Sequence, residues 1–319
     1  MGATEDALEE LNKAIEKKEL DEQTKICESI TNPLYHYTSA EGLKGIIEKK
    51  HFYMTDYLHM NDPGEVAFGI KIVKKILGEL KESDNEFYKA LCTSADCQFS
   101  NERLGNLFCY YITSFSRHPN DLMQWRLYGG NGCGFSLGVA PEWFSSPEIN
   151  IGDDRSDEIT FTRDMIYVDD SVDDAAYKDI RKKICDYIEL FNKNLEKTKS
   201  LTNEVCLEIV NRLIAQLLWI SLRIKHKAYE QEQEVRLICF KKKDSSKSRI
   251  KIRTRAGALV PYIEHQLDTQ KSGNIKKIFI GPAASEFAKD SVVSLLESNN
   301  VPILNEMIEK SVLPYRVTQ

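Results

Sequence analysis

The residues with the most chemistry in the least length are Lys225-His226-Lys227-Ala228-Tyr229-Glu230-Gln231-Glu232-Gln233-Glu234-Val235-Arg236-Leu237-Ile238. Three carboxylates there lead straight into an apolar run. A strand that begins by Glu232 sets Glu232, Glu234 and Arg236 on one face, because successive side chains alternate. Like charges that close raise one another's pKa values, which serves acid–base chemistry and is costly elsewhere. As a charge run alone, the segment would be a solvated helix end.

Three other segments could meet it. Leu34-Tyr35-His36-Tyr37 reads as a short strand and Thr38-Ser39 as the cap of a helix through Leu43, Ile46 and Ile47. An imidazole, two hydroxyls and helix N-terminal amides could then converge on an anionic or sugar-bearing ligand; the alternative is a buried structural histidine. In Ser114-Phe115-Ser116-Arg117, alternation puts both hydroxyls on one strand face, where they can orient a carboxylate or simply meet solvent. The short helix that follows carries Trp125 and Tyr128 at i,i+3 spacing, aromatics that are more often core than a stacking platform. The last segment is basic, Lys241-Lys242-Lys243 and then Lys247, Arg249, Lys251, Arg253 and Arg255. As strand 241–255 it would offer one cationic face to nucleic-acid phosphates, or a charged edge that discourages aggregation.

The elements that must hold these residues follow from periodicity. Residues 4 to 30 are helical and Asn32-Pro33 stops them, which makes 1–32 an N-terminal helical annex and 33–319 a single α/β domain. Asn61-Asp62-Pro63-Gly64-Glu65 opens a long helix through Ile70, Val73 and Leu77. Residues 108 to 116 are aromatic and β-branched enough for a central strand, and 134 to 139 form another. Two apolar stripes mark a helical insertion at about 172–226. Strands return at 234–240, 249–255 and 275–280, followed by a helix through Val292, Leu295 and Leu296 and a last short strand near Ile303.

Composition excludes several classes. With 49 acidic and 43 basic residues in 319, the net charge of −6 is too nearly balanced for a nucleic-acid coat, so any basic site is local. The apolar run at 213–222 falls short of the ~20 residues of a membrane span, and the acidic first residues do not read as a secretory signal. A cytoplasmic location and no membrane partner are expected. Eight cysteines without a Cys-x-x-Cys pair, and no histidines at ligand spacing, predict reduced thiols and no metal site.

Taken in order, Leu34-Tyr35-His36-Tyr37-Thr38-Ser39, Met60-Asn61-Asp62-Pro63-Gly64-Glu65, Ser114-Phe115-Ser116 with Gln124-Trp125 and Tyr128-Gly129, Glu232-Gln233-Glu234-Val235-Arg236, and Val260-Pro261-Tyr262 with Ile280-Gly281-Pro282 resemble the bacterial domain-of-unknown-function family 2971. The series is more distantly similar to ADP-ribosyltransferases, including DNA-modifying toxins with a His-x-Thr entry and a late Glu. That resemblance implies a split, mostly antiparallel sheet with a helical insertion and N-terminal helices. It also implies an enzyme that uses NAD as substrate and needs no metal, modifying a nucleic-acid or protein acceptor in a toxin or antiphage role.

By the same resemblance, His36, Tyr37, Thr38 and Ser39 belong to the NAD site, and Ser114 or Ser116 orients the acid. Tyr128 or Tyr53 stacks on nicotinamide, and Arg117 meets the pyrophosphate. Glu234 bonds the nicotinamide ribose, and Glu232 deprotonates or positions the acceptor. The rivals are an NAD glycohydrolase built from the same residues, with water as acceptor, and a non-catalytic module that senses a nucleotide or holds a partner.

Overall fold

A computed structural model describes residues 2–60, 63–80, 91–96, 99, 108–145, 158–197, 203–242, 250–267, 269 and 273–315. It is mixed α/β. A long helix α1 (Gly2–Ser29) precedes strand β1 (Leu34–Thr38), helix α2 (Ala40–Lys49), strand β2 (His51–Asp56) and helix α3 (Pro63–Leu80). Strands β3 (Phe108–Ser116), β4 (Phe135–Val139), β5 (Glu158–Asp164) and β6 (Ile166–Val168) lead to the helix pair Ala175–Lys197 and Asn203–Ser221. Then come β7 (Ile224–His226), β8 (Glu234–Lys242), β9 (Lys251–Arg255), β10 (Ala258–Gln266), β11 (Ile275–Ile280), the helix Ala288–Ser298 and β12 (Ile308–Lys310).

The main sheet runs β12-β11-β4-β1-β3-β2-β10-β9, with β8 also on β3 and β5 beyond β8. Its pairs are antiparallel except β11 with β12, and β6 pairs with β7, in parallel, as a separate small sheet. The centre is β3, whose residues Phe108 to Ser116 register against Lys242 to Glu234 of β8 along one edge. Away from the end where Ser114 and Ser116 meet Arg236 and Glu234, both strands bury apolar side chains on both faces, as a sheet covered on both sides requires. Tyr111, Phe115, Val235, Leu237 and Cys239 join a core under α2 and the helix Ala288–Ser298. Tyr110, Ile112 and Ile238 join the opposite core, under α3 and the helix pair.

The other edge of β3 is shared. Strand β1 registers with it at Tyr35↔Ser116, and β2 at Thr55↔Ile112 and Asp56↔Tyr111, so the two strands part between these points. Buried backbone groups need partners, and in the gap side chains supply them. His36 Nδ1 lies 2.9 Å from the Ser114 carbonyl, and Thr113 Oγ1 donates to the Tyr53 carbonyl at 2.7 Å.

Helix α1 and the residues after it pack through Leu11, Ile26 and Ile30, which join the two cores, and through a buried charge. Glu19 of α1 accepts from Arg163 (2.6 Å), the Tyr187 hydroxyl (2.5 Å) and Trp219 Nε1 (3.0 Å), all at buried sites. Three sequence expectations shift. The last strand is Ile308–Lys310 and not near Ile303, because the parallel register pairs Ile278 with Ile308. Strand 249–255 begins at Lys251, and β5, β6, β7 and β10 were not foreseen. Among the described residues, no helix is long and apolar enough to cross a membrane.

Removing one partner of a buried ion pair strands the other charge. Glu19→Ala is therefore expected to cost about 3–5 kcal/mol, read as a lower urea midpoint, whereas an unchanged midpoint would mean that α1 docks without this contact.

Candidate active site

The site begins with a kink. Strand β8 starts at Glu234 and not by Glu232, because Lys227–Glu232 forms a 3-10 turn closed by Gln233 in the left-handed region at φ 41°. Glu232 is thus no strand residue, yet it still meets Glu234. Between them lies Lys225 in the middle of β7, its Nζ 2.5 Å from Glu232 Oε2, 3.1 Å from Glu234 Oε2 and 2.8 Å from Glu65 Oε1. Arg236, two residues along β8 and on the same face as Glu234, closes the ring. Its Nε donates to Glu234 Oε1 at 2.7 Å, one terminal nitrogen to Glu65 Oε2 at 2.5 Å, and the other to the Leu222 carbonyl at 2.8 Å.

Three carboxylates and two cations are therefore held in a buried cluster, and their neighbours differ enough to separate them. Burial opposes ionisation of Glu234, but Arg236 and Lys225 outweigh it and hold its carboxyl at about 2. Glu232 shares only Lys225, so burial, with Glu234 and Glu65 nearby, leaves its carboxyl above the ordinary range. Burial likewise works against the Lys225 ammonium, and the carboxylates around it reverse the effect and push its pKa up.

Ser114 and Ser116 do share the face that carries Glu234 and Arg236. The Ser114 side chain hydrogen-bonds Glu234 and helps keep it ionised. Ser116 Oγ donates to the Glu232 carbonyl at 2.7 Å and accepts from His118 N, so it fixes the kink and not a carboxylate. The Tyr128 hydroxyl reaches Glu232 Oε1 at 3.4 Å, while Trp125 is core.

This cluster forms one wall of a cavity of about 1050 Å³ that opens where β1 and β2 part. His36, Tyr37, Thr38 and Ser39 line it together with Tyr53, Ser114, Ser116, Tyr128, Glu232 and Glu234. Since a carbonyl can only accept, His36 Nδ1 carries the hydrogen toward Ser114; burial, more than nearby Arg253, disfavours its charged form. The Tyr37 hydroxyl is spent on the His118 carbonyl and Asp121 N, and Ser39 Oγ on capping α2 through Gly42 N. Thr38 Oγ1 lies 1.9 Å from where a Cβ on Gly42 would stand, so only glycine lets that hydroxyl sit over the helix start.

Two assignments are corrected. Arg117 does not line the cavity; its guanidinium pairs with Asp164 at 2.8 Å and reaches Ser29, because β3 alternation sends it away from Ser116. The basic stretch 241–255 is not one strand, since 241–242 end β8, and over β9, 251–255, it is not an outward cationic face. Residues 252–255 all line the cavity, but Arg253 and Arg255 are half-buried and turn in to Thr55 and the His59 carbonyl, while Ile252 and Thr254 are exposed and Lys251 pairs with Glu264 at 2.7 Å. Residues 243–249 of it lie outside the described residues. Glu65, Lys225 and Tyr262 stand in segments quoted above but carry no role that the sequence reveals; Glu65 reads locally as an ordinary first-turn acid of α3.

A family model described as a protein of unknown function, DUF2971, matches residues 124–237, from within the short helix Leu122–Leu127 to the residue after Arg236. The likeness to that family is supported over this stretch. No curated protein and no solved structure matches the chain.

The depressed Glu234 carboxyl stabilises the fold above its ordinary pKa of 4.5, and that contribution is lost as pH falls toward about 2. It amounts to something on the order of 3 kcal/mol. Urea unfolding should therefore show Glu234→Gln less stable than the parent at neutral pH, with the gap closing in acid. A gap independent of pH would contradict the ion pairing.

Proposed function

We propose that the cavity takes NAD as substrate, cleaves its nicotinamide–ribose bond and passes the ADP-ribosyl group to a nucleic-acid or protein acceptor. The observation that carries this reading is the pair Glu232 and Glu234, driven to opposite protonation behaviour on one wall of a cavity large enough for a dinucleotide. Cleavage sends the C–N electron pair out with nicotinamide and leaves an oxocarbenium-like cation on the ribose. Glu65, Glu232 and Glu234 against Lys225 and Arg236 leave one net negative charge when all five are ionised, and a negative, water-poor wall stabilises that cation.

A lone pair on the acceptor then forms the new bond to the ribose carbon, and Glu232 in its carboxylate form takes the acceptor's proton. A raised pKa makes it the better base. Glu234, kept ionised, bonds a ribose hydroxyl, and His36 and Thr38 hold the nucleotide, as the likeness to ADP-ribosyltransferases implies. Such chemistry suits a toxin or antiphage effector. One observation favours a binding-only reading instead, since both oxygens of Glu234 are already engaged by Arg236 and Lys225.

Release of nicotinamide from NAD by the purified protein, alone and with DNA, RNA or lysate protein, separates these readings. Glu232→Gln and Glu234→Gln should each lose about 100- to 10,000-fold in turnover, with label appearing on one acceptor class. Free ADP-ribose without a modified acceptor would mean a glycohydrolase, and NAD binding without turnover a sensing module. Absence of NAD binding would overturn the proposal.

A further inference from the structure

Strand β9 brings two guanidinium groups to the cavity, and among the described residues no carboxylate pairs with either. Arg253 donates to Thr55 Oγ1 at 2.7 Å, and Arg255 to the His59 carbonyl. Neither makes an ion pair with any acid among the described residues, in contrast to Lys251 on the same strand. Arg253 Nε is buried and has no hydrogen-bond partner among the described residues. Burial, and then Arg255, work against the charge of Arg253. A half-buried cation in that state is stabilised by an anion.

The surroundings narrow the anion. Residues 253 and 255 alternate onto one side of the strand, about 6.6 Å apart along the backbone, a spacing at which two guanidinium forks can each hold one of two linked phosphates. Beside them the rings of Tyr53 and Tyr262 stand 4.3 Å apart and tilted 46° to one another, with Arg253 Cζ 5.3 Å and 5.7 Å from their centroids, so two aromatic rings adjoin the cationic groups. All of these residues line the same cavity as Glu232 and Glu234.

We infer that Arg253 and Arg255 form a diphosphate subsite, with Tyr53 and Tyr262 receiving an adjoining planar group, so that the cavity takes a nucleoside-diphosphate ligand. Its identification with the ADP half of NAD rests on the reading above, whereas the phosphate site does not.

The test is calorimetric titration of the full chain with ADP and with adenosine, repeated in Arg253→Gln, Arg253→Lys and Arg255→Gln, with thermal melts to verify folding. ADP should bind at least about tenfold more tightly than adenosine and lose that advantage in either Gln variant, as loss of a charge-assisted hydrogen bond requires. Arg253→Lys should recover part of it. Equal binding of ADP and adenosine, no ADP binding, or ADP binding unchanged in folded Gln variants would overturn the site. If ADP binds through Arg253 while NAD releases no nicotinamide, the phosphate site stands and the NAD-cleaving reading falls. Nicotinamide release with an unchanged KM in both Gln variants overturns the phosphate site alone.

Discussion

The Lys225 ammonium holds the candidate site together, because three glutamates from three adjoining elements converge on it and would repel one another without it. Glu65 comes from the first turn of α3, Glu232 from the end of a 3-10 turn and Glu234 from the start of β8. Each carboxylate loses hydration on burial, a cost repaid only by close, well-directed cations. Arg236 supplies the second cation and, by bonding the Leu222 carbonyl, ties the cluster to the end of the helix Asn203–Ser221. The helical insertion and the sheet are thus joined at the point where the carboxylates meet the cavity.

A second constraint comes from the sheet itself. With β8 filling one edge of β3, strands β1 and β2 must divide the other, and where they part the backbone is satisfied by His36 and Thr113 in place of a strand. The opening so created is polar on both sides and carries charge of both signs, carboxylates on one wall and the β9 arginines on another. That polarity is what a ligand with a cationic reacting centre and an anionic tail would need.

Much of this was legible in the sequence, where local rules act. The Ser39 cap, the two-faced strand β3 and the stripes of the helix pair all follow from spacing, and Ser114 and Ser116 share a face as alternation requires. Alternation also contained the correction to Arg117, which sits one residue from Ser116 and so points the other way. What could not be read was which distant residues complete the cluster, since Glu65 and Arg236 stand 171 positions apart and nothing local marks either as a partner. The basic strand was found but turned outward, because an edge strand's own pattern does not say which side faces in. Tyr53, Thr55 and Tyr262, on neighbouring strands, decide that.

The central claim is that one ligand spans the two walls, its nicotinamide ribose at the carboxylates and its diphosphate at the arginines. A crystal structure of the protein with a non-hydrolysable NAD analogue tests it most directly. In that complex a ribose hydroxyl should lie within hydrogen-bond distance of Glu232 or Glu234, with phosphate oxygens on Arg253 and Arg255. An analogue bound in the reverse direction, bound elsewhere, or absent at saturating concentration would contradict it.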